Sequence, residues 1–130
     1  MSTILVVDDH ADTRKPLVRL LQMEGYKAIG AANALEALAV ANHMDPDLIL
    51  LDVMLPPMDG LTFLMRLRED ERRRELPVIV VSGLSDPQTI ARAKELGVKE
   101  HLVKTHFTPQ ELLDAVRRYV QPGNVDAKRT

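Results

Sequence analysis

Residues 47–60 read Asp-Leu-Ile-Leu-Leu-Asp-Val-Met-Leu-Pro-Pro-Met-Asp-Gly, a stretch that predicts a buried strand ending in a carboxylate. Leu48 to Leu51 have no polar residue between them, as expected of a central strand covered on both faces by helices. Asp52 follows, and Pro56-Pro57 directs the chain out of the sheet. Because ligands of open α/β sheets bind at the carboxyl ends of strands, Asp52 is a candidate site residue. A simple turn-capping role is the open alternative.

Four more short aliphatic runs predict the remaining strands, at residues 4–7, 26–31, 78–81 and 98–103. The 26–31 run is less hydrophobic and suits an edge of the sheet. Helical patterns separate all five runs, so every pair of successive strands is joined through a helix. This alternation predicts an α/β fold with a doubly wound parallel sheet.

Capping signals predict where the helices begin and end. Thr13 is expected to cap the first helix, which would put Pro16 in its first turn, and Gly25 is expected to end it. The predicted caps of the later helices are Asn33, Asp59, Ser85 or Asp86, and Thr108. Gly97 is expected to end the fourth helix. Leu35 is predicted to lie on the apolar side of the second helix.

A dense run of charge occupies residues 69–75 and contains three consecutive arginines. Acidic neighbours flank the arginines on both sides. The run is therefore interpreted as a solvated loop or helix end, and a nucleic-acid-binding patch is disfavoured.

The length of 130 residues suits one domain, predicted over residues 1–121, with a polar tail or linker stump over 122–130. The 17 basic and 19 acidic side chains nearly balance, so bulk attraction to nucleic acid or anionic membranes is not indicated. Cysteine is absent, which excludes disulfides and thiol catalysis. The aliphatic run at residues 4–7 is too short for a signal peptide or a membrane span. A cytoplasmic protein is expected.

Polar residues at the ends of four predicted strands should converge, because parallel strands place their carboxyl ends at one edge of the sheet. These residues are Asp8, Asp9, Asp52, Ser82 and Lys104. Three crowded carboxylates repel one another and favour a hard cation with oxygen ligands, which predicts a Mg²⁺ site. The lysine and the hydroxyl add the positive charge and the hydrogen-bond donor that suit a phosphoryl group.

At these spacings the chain resembles the receiver domain of two-component response regulators, the CheY-like family, over nearly its whole length. The resemblance rests on the Asp8-Asp9 pair, Asp52 with its Met-Leu-Pro-Pro-Met-Asp-Gly turn, Ser82 and Lys104. It implies a (βα)5 flavodoxin-like sheet with strand order 2-1-3-4-5 and helices on both faces.

The resemblance also implies roles for individual residues. Asp52 would accept a phosphoryl group from a sensor histidine kinase or a histidine phosphotransfer protein. The implied Mg²⁺ ligands are Asp9, Asp52 and the backbone carbonyl of Met54, with Asp8 supporting the metal shell. Lys104 would pair with Asp52 or the phosphoryl oxygen, and Ser82 would bond the phosphoryl group once it is attached.

Two positions depart from the family pattern. Thr105 stands where a proline usually follows the lysine, and a trans bond or a strained loop is expected there. His101 replaces the switch aromatic, so Ser82 and His101 are the candidate switch pair; a half-exposed strand histidine without a switching role is the open alternative. His10 is interpreted as an exposed loop histidine and not as a metal ligand.

The implied function is signalling through a conformational change that alters binding to a downstream protein. The chain would be a monomer or a phosphorylation-promoted dimer, without separate substrate turnover and without direct contact to nucleic acid or membrane. Three alternatives stay open: a receiver cut from a regulator with a DNA-binding or enzymatic output domain, a magnesium-dependent phosphohydrolase, and a phosphorylation-independent interaction module. The phosphohydrolase would need an acid where Met54 stands.

Overall fold

The computed structural model describes residues 2–53, 60–83, 87–104 and 106–121. Within these ranges, five strands alternate with five α-helices, and a short 3-10 helix follows the third. The strands are β1 (Thr3–Val7), β2 (Lys27–Ala31), β3 (Leu48–Leu51), β4 (Val78–Ser82) and β5 (Glu100–Val103). The helices are α1 (Ala11–Met23), α2 (Ala34–Met44), α3 (Gly60–Glu69), α4 (Pro87–Glu95) and α5 (Pro109–Arg117), with the 3-10 helix at Glu71–Arg73.

All five strands pair in parallel, in the order β2-β1-β3-β4-β5. The predicted fold class and strand order are therefore confirmed. β3 is central, as expected from its unbroken aliphatic run, and all four of its residues are buried. β2, the less hydrophobic run, is an edge strand.

Successive strand residues point to opposite faces of the sheet, and helices cover both faces. On one face α1 and α5 cover Ile4, Val6, Leu48, Leu50, Ile79 and Val81. On the other face α2, α3 and α4 cover Leu5, Val7, Ile49, Leu51, Val78 and Val80. Because the strands are buried on both sides, their carboxyl ends are held in a fixed arrangement.

Most of the predicted helix ends are confirmed. Asn33 accepts the Glu36 backbone N–H at 2.8 Å, and Thr108 forms a complete capping box with Glu111. Gly25 and Gly97 follow α1 and α4 with backbone φ angles of 95° and 85°. Residues that carry a side chain rarely adopt such angles. The predicted caps Asp59, Ser85 and Asp86 lie outside the described residues.

The predicted start of α1 is wrong. His10 is the N-cap and its carbonyl accepts the Thr13 and Arg14 N–H groups, so the helix begins before Thr13. Pro16 consequently lies inside the helix, beyond its first turn, where it removes one hydrogen bond near an end. The side chain of His10 makes no capping bond at this end, so a search for side-chain caps does not detect the helix start.

One prediction about solvent exposure is wrong, and the prediction of a solvated charge run at residues 69–75 fails at a single position. Leu35 is 62% exposed, because the side of α2 that faces the sheet carries Ala34, Ala37 and Ala41. Arg73, in the charge run, is only 5% exposed. Its guanidinium donates to the Ala41 carbonyl at 2.6 Å and pairs with Asp45 at 2.9 Å. Across the described ranges, every helix is too short or too polar to cross a bilayer.

Candidate functional site

Polar residues extend the parallel pairing beyond the strands at the carboxyl edge of the sheet. The Asp8 N–H bonds to the Ala31 carbonyl at 3.1 Å, and the Asp52 N–H bonds to the Val7 carbonyl at 2.9 Å. Ser82 is the last residue of β4, and the Lys104 N–H bonds to its carbonyl at 3.0 Å. The sheet therefore fixes the backbone of these four positions side by side, as the sequence predicts.

Asp52 lies at the centre of the cluster and is only 3% exposed. Its Oδ1 accepts a hydrogen bond from the Ser82 hydroxyl at 3.2 Å, and its Oδ2 accepts one from the Lys104 ammonium at 2.9 Å. Removing a carboxylate from water costs several kcal/mol unless charge and hydrogen bonds compensate. Both compensations come from the two residues that the sequence predicts beside Asp52.

Lys104 bridges two acids. Its Nζ lies 2.8 Å from Asp8 Oδ2 and 2.9 Å from Asp52 Oδ2. Burial lowers the pKa of Lys104, but its hydrogen bonds to both carboxylates outweigh burial, so the pKa is raised above 10.5. The contact with Asp8 was not among the predicted roles of either residue, because it depends on where the lysine side chain ends.

Asp9 completes the acidic trio and has a different environment. Its side chain is 27% exposed, yet its Oδ1 atom is buried and accepts no hydrogen bond within the described part of the chain. Three carboxylates face a single ammonium, so the cluster has an excess of two negative charges. An unsatisfied carboxylate oxygen among oxygen donors fits a divalent hard cation such as Mg²⁺.

His10 is exposed, as predicted, but it also lies against the acids. Ligand atoms of Asp8, Asp9, His10 and Asp52 all fall within 4.8 Å of one another. The His10 Nδ1 is 3.0 Å from Asp9 Oδ1 and 3.4 Å from Asp8 Oδ1. The only sequence signal for this arrangement is that His10 directly follows the acidic pair.

Two residues that the sequence did not suggest support the backbone of the site. The Arg14 guanidinium donates to the Asp8 carbonyl at 2.8 Å, and its side chain crosses Gly30 on β2. Gly60, at the start of α3, packs directly on the Asp52–Val53 backbone. A Cβ at Gly60 would overlap the Val53 Cα and stand 2.9 Å from the Asp52 carbonyl oxygen.

Of the remaining predicted positions, His101 lies within the described residues, whereas Met54 and Thr105 do not. His101 lies on β5 opposite Val80 and is half-buried, and burial lowers its pKa below 6.5. It is not in the acidic cluster. Met54 and Thr105 lie outside the described residues, so the predicted carbonyl ligand and the peptide after Lys104 stay predictions.

Proteins similar in sequence to this chain include one of similar length and one that is much longer. It is 39% identical over 118 residues to the sporulation initiation phosphotransferase F of Bacillus subtilis, covering 90% of this chain and 92% of that protein. It is 38% identical over 128 residues to the phosphate regulon transcriptional regulatory protein PhoB of Pseudomonas aeruginosa, covering 96% of this chain. The chain spans only 56% of the PhoB protein.

Solved structures and family models agree with these relatives. The chemotaxis protein CheY4 of Vibrio cholerae superposes with a TM-score of 0.86 at 32% identity, over 92% of this chain and 99% of that one. A model of the response regulator receiver domain matches residues 4–117. With the acidic cluster at the predicted edge of a sheet of the predicted order, the chain belongs to the response regulator receiver domain family, the phosphoryl-accepting module of two-component systems.

Proposed function

We propose that Asp52 is the phosphoacceptor and takes its phosphoryl group from a phosphohistidine on a sensor kinase or phosphotransfer protein. The observation that carries this proposal is a buried carboxylate with a lysine on one oxygen and a serine hydroxyl on the other. A structural acid needs its charge compensated, but it has no need of a second and a third carboxylate beside it. The like charges of Asp8 and Asp9 cost stability, as is common at functional sites.

The proposed reaction is a displacement at phosphorus. A carboxylate oxygen of Asp52 bonds to the phosphorus while the bond from phosphorus to the donor imidazole nitrogen breaks, and the electron pair returns to the imidazole. Lys104 neutralises charge on the transferring group, and the Ser82 hydroxyl donates a hydrogen bond to a phosphoryl oxygen. Catalysis then consists mainly of positioning and electrostatics, as in other phosphoryl transfers.

Mg²⁺ is the proposed cofactor, and it would neutralise charge shared by the acceptor and the phosphoryl oxygens. Asp9 and Asp52 would hold it together with the Met54 carbonyl, and Asp8 would support the shell. The buried, unsatisfied Asp9 Oδ1 supports this assignment, because a stable fold rarely leaves such an atom without a partner.

The domain is proposed to assist its own phosphorylation and dephosphorylation without turning over a separate substrate. Its output would be altered binding to a downstream protein, with Ser82 and His101 as the switch pair. If His101 takes part, His101→Tyr changes the affinity of the phosphorylated form for that partner, measured by calorimetry. Unchanged affinity would leave His101 as a strand residue without a switching role.

The phosphoacceptor is tested by intact-mass analysis after incubation with acetyl phosphate and Mg²⁺. The unmodified protein should gain one phosphoryl group, and Asp52→Asn should gain none. Asp114→Asn is the matched control, because Asp114 is exposed on α5, and it should be labelled normally. Normal labelling of Asp52→Asn would refute the assignment.

A further inference from the structure

We propose that His10 is an additional metal ligand, so that this site also takes borderline divalent ions that favour nitrogen, such as Ni²⁺ and Co²⁺. The inference rests on the metal site proposed above. It goes beyond that site because it adds an imidazole nitrogen to a set of oxygen donors, and it replaces the interpretation of His10 as a loop residue without a metal-binding role.

The first argument is the spacing of the donor atoms. In an octahedral site with bonds of about 2.1 Å, neighbouring ligand atoms stand about 3.0 Å apart and opposite ones about 4.2 Å. The His10 Nδ1 is 3.0 Å from Asp9 Oδ1 and 3.4 Å from Asp8 Oδ1. All four donor residues, Asp52 included, fall within 4.8 Å of one another. Small side-chain shifts bring this set to the spacing of a ligand shell.

The second argument is the unsatisfied state of Asp9. Its Oδ1 is buried and accepts no hydrogen bond within the described residues, although the His10 ring nitrogen is only 3.0 Å away. The two atoms are therefore close without the alignment that a hydrogen bond requires. Adjacent ligands of one cation have this relation, since each points its lone pair at the ion and not at the other.

The third argument is how the chain holds the histidine. His10 is the N-cap of α1, and its side chain makes no capping bond. Its backbone is fixed on both sides, since its N–H donates to Asp8 Oδ1 at 2.9 Å and its carbonyl accepts the Arg14 N–H at 2.8 Å. The ring is 66% exposed and so meets ions arriving from solvent. A fixed backbone with a ring that makes no capping bond suits a ligand that closes over an ion.

Metal chemistry gives the consequence. Mg²⁺ prefers oxygen and gains little from an imidazole, whereas imidazole suits Ni²⁺, Co²⁺ and Zn²⁺, whose affinities follow the Irving–Williams order. The histidine should therefore widen the difference in affinity between Ni²⁺ and Mg²⁺.

The first test is calorimetric titration of the untagged protein with Ni²⁺ and, separately, with Mg²⁺. His10→Ala should lower Ni²⁺ affinity by about ten-fold or more and Mg²⁺ affinity by no more than about three-fold. His43→Ala, which removes an exposed histidine of α2, is the matched control and should leave both affinities unchanged. Equal losses for the two ions, or no loss of Ni²⁺ affinity, would overturn the proposal.

The second test detects the bond between the metal ion and the histidine nitrogen directly. Protein labelled with ¹⁵N only at histidine is loaded with high-spin Co²⁺, an ion that the imidazole is proposed to favour, and studied by pulsed electron paramagnetic resonance at liquid-helium temperature. Coupling from a directly bound ¹⁵N is expected in the unmodified protein and in His43→Ala, and it should disappear in His10→Ala. Absence of that coupling in the unmodified protein would overturn the proposal.

Labelling by acetyl phosphate in Mg²⁺ separates this inference from the proposed function. Asp52 labelling without any effect of His10→Ala on Ni²⁺ would remove the histidine ligand and keep the phosphoacceptor. A large Ni²⁺ effect without labelling would keep the histidine ligand and remove the phosphoacceptor.

Discussion

Buried charged groups lie at both ends of the sheet, but they are neutralised by their partners at one end and not at the other. At the amino edge, Arg68 and Arg73, here called the amino-edge arginines, direct their guanidinium groups at backbone carbonyls and carboxylates. Arg68 reaches the carbonyls of Arg73 and Leu76 at 2.7 Å and that of Leu96 at 2.8 Å. At the carboxyl edge, one lysine pairs with Asp8 and Asp52, and a buried oxygen of Asp9 accepts no hydrogen bond from the described residues.

This difference distinguishes charged groups that stabilise the fold from charged groups that form the proposed functional site. Each amino-edge arginine donates to several acceptors, which offset the cost of its burial. Arg68 ties α3 to the segment after α4 and to Leu76 before β4, and Arg73 ties the 3-10 helix to α2. The carboxyl edge has more negative charge than its partners neutralise, an arrangement that costs stability unless a cation binds. The site is therefore identified by charged groups that their partners do not fully neutralise, more than by burial alone.

The largest effect is expected from breaking the amino edge. Arg73→Met should lower the free energy of unfolding by about 3–4 kcal/mol, because it leaves the Ala41 carbonyl, Asp45 and Asp70 without their shared cation. Urea denaturation monitored by circular dichroism gives the value. Arg72→Met, which removes a 67% exposed side chain, is the control and should leave the free energy of unfolding nearly unchanged. Equal costs would mean that Arg73 has no special structural role.

A smaller loss is expected from Lys104→Met, about 2 kcal/mol at pH 8, because Asp8 and Asp52 lose their counter-ion. The native pKa of Lys104 is raised above 10.5, so its contribution to stability is complete below pH 10.5. That contribution is lost as the pH rises through the native pKa. The difference from the unmodified protein in urea unfolding should therefore be constant from pH 7 to 9 and shrink above pH 10.5. The prediction would be contradicted if the difference in unfolding free energy between Lys104→Met and the unmodified protein grew at high pH. It would also be contradicted if Lys94→Met, which removes an exposed side chain, showed the same difference.

The opposite sign is expected for Asp9→Asn. In the presence of a chelator this variant should be more stable by roughly 0.5–1 kcal/mol, because it removes one of three like charges and an unsatisfied oxygen. Mg²⁺ should then stabilise the unmodified protein and not the variant, as measured by thermal unfolding. Asp12→Asn removes an exposed acid from the first turn of α1 and should cost a few tenths of a kcal/mol. Destabilisation of Asp9→Asn in chelator would remove the contrast between the two edges.

The last prediction concerns a third arginine, Arg14, which donates to a backbone carbonyl at the carboxyl edge as the amino-edge arginines do at theirs. Arg14 binds the Asp8 carbonyl while its Cδ lies 3.0 Å from where a Cβ on Gly30 would stand. Gly30→Ala should cost about 1 kcal/mol with Arg14 present, and it should gain about 0.5 kcal/mol in an Arg14→Ala background. A double-mutant cycle of unfolding free energies measures this coupling. Additive effects would show that Gly30 makes no room for the arginine.

Sequence patterns predicted the features that local chemistry determines. The convergence of Asp52, Ser82 and Lys104 followed from aliphatic runs that end in polar residues, together with the rule that parallel strands align their carboxyl ends. The strand order was implied by the resemblance to receiver domains and is confirmed. The caps Asn33 and Thr108 were also correct, because a side chain and its backbone partner lie within three residues.

The features that were missed depend on distant partners or on main-chain contacts. Arg73 finds its acceptor at Ala41, 32 positions earlier, and no local pattern indicates that contact. α1 begins at a cap without a side-chain bond, so Thr13 was preferred to His10. The Lys104 contact with Asp8 depends on the reach of a flexible side chain. These are tertiary outcomes, and they include the position of His10 beside the acids.

The hydrogen bond between the backbones of Gly60 and Val53 has a consequence for protein engineering. The Gly60 N–H bonds to the Val53 carbonyl at 2.8 Å, so a main-chain hydrogen bond joins the two described residues on either side of residues 54–59. A chain segment whose two ends are joined in this way tolerates added length, since doubling the length of a closed segment costs only about 0.6 kcal/mol in closure entropy. A reporter peptide inserted between Pro57 and Met58 should leave β3 and Asp52 in position. The receiver thus offers a place to attach a sensor next to its own acceptor.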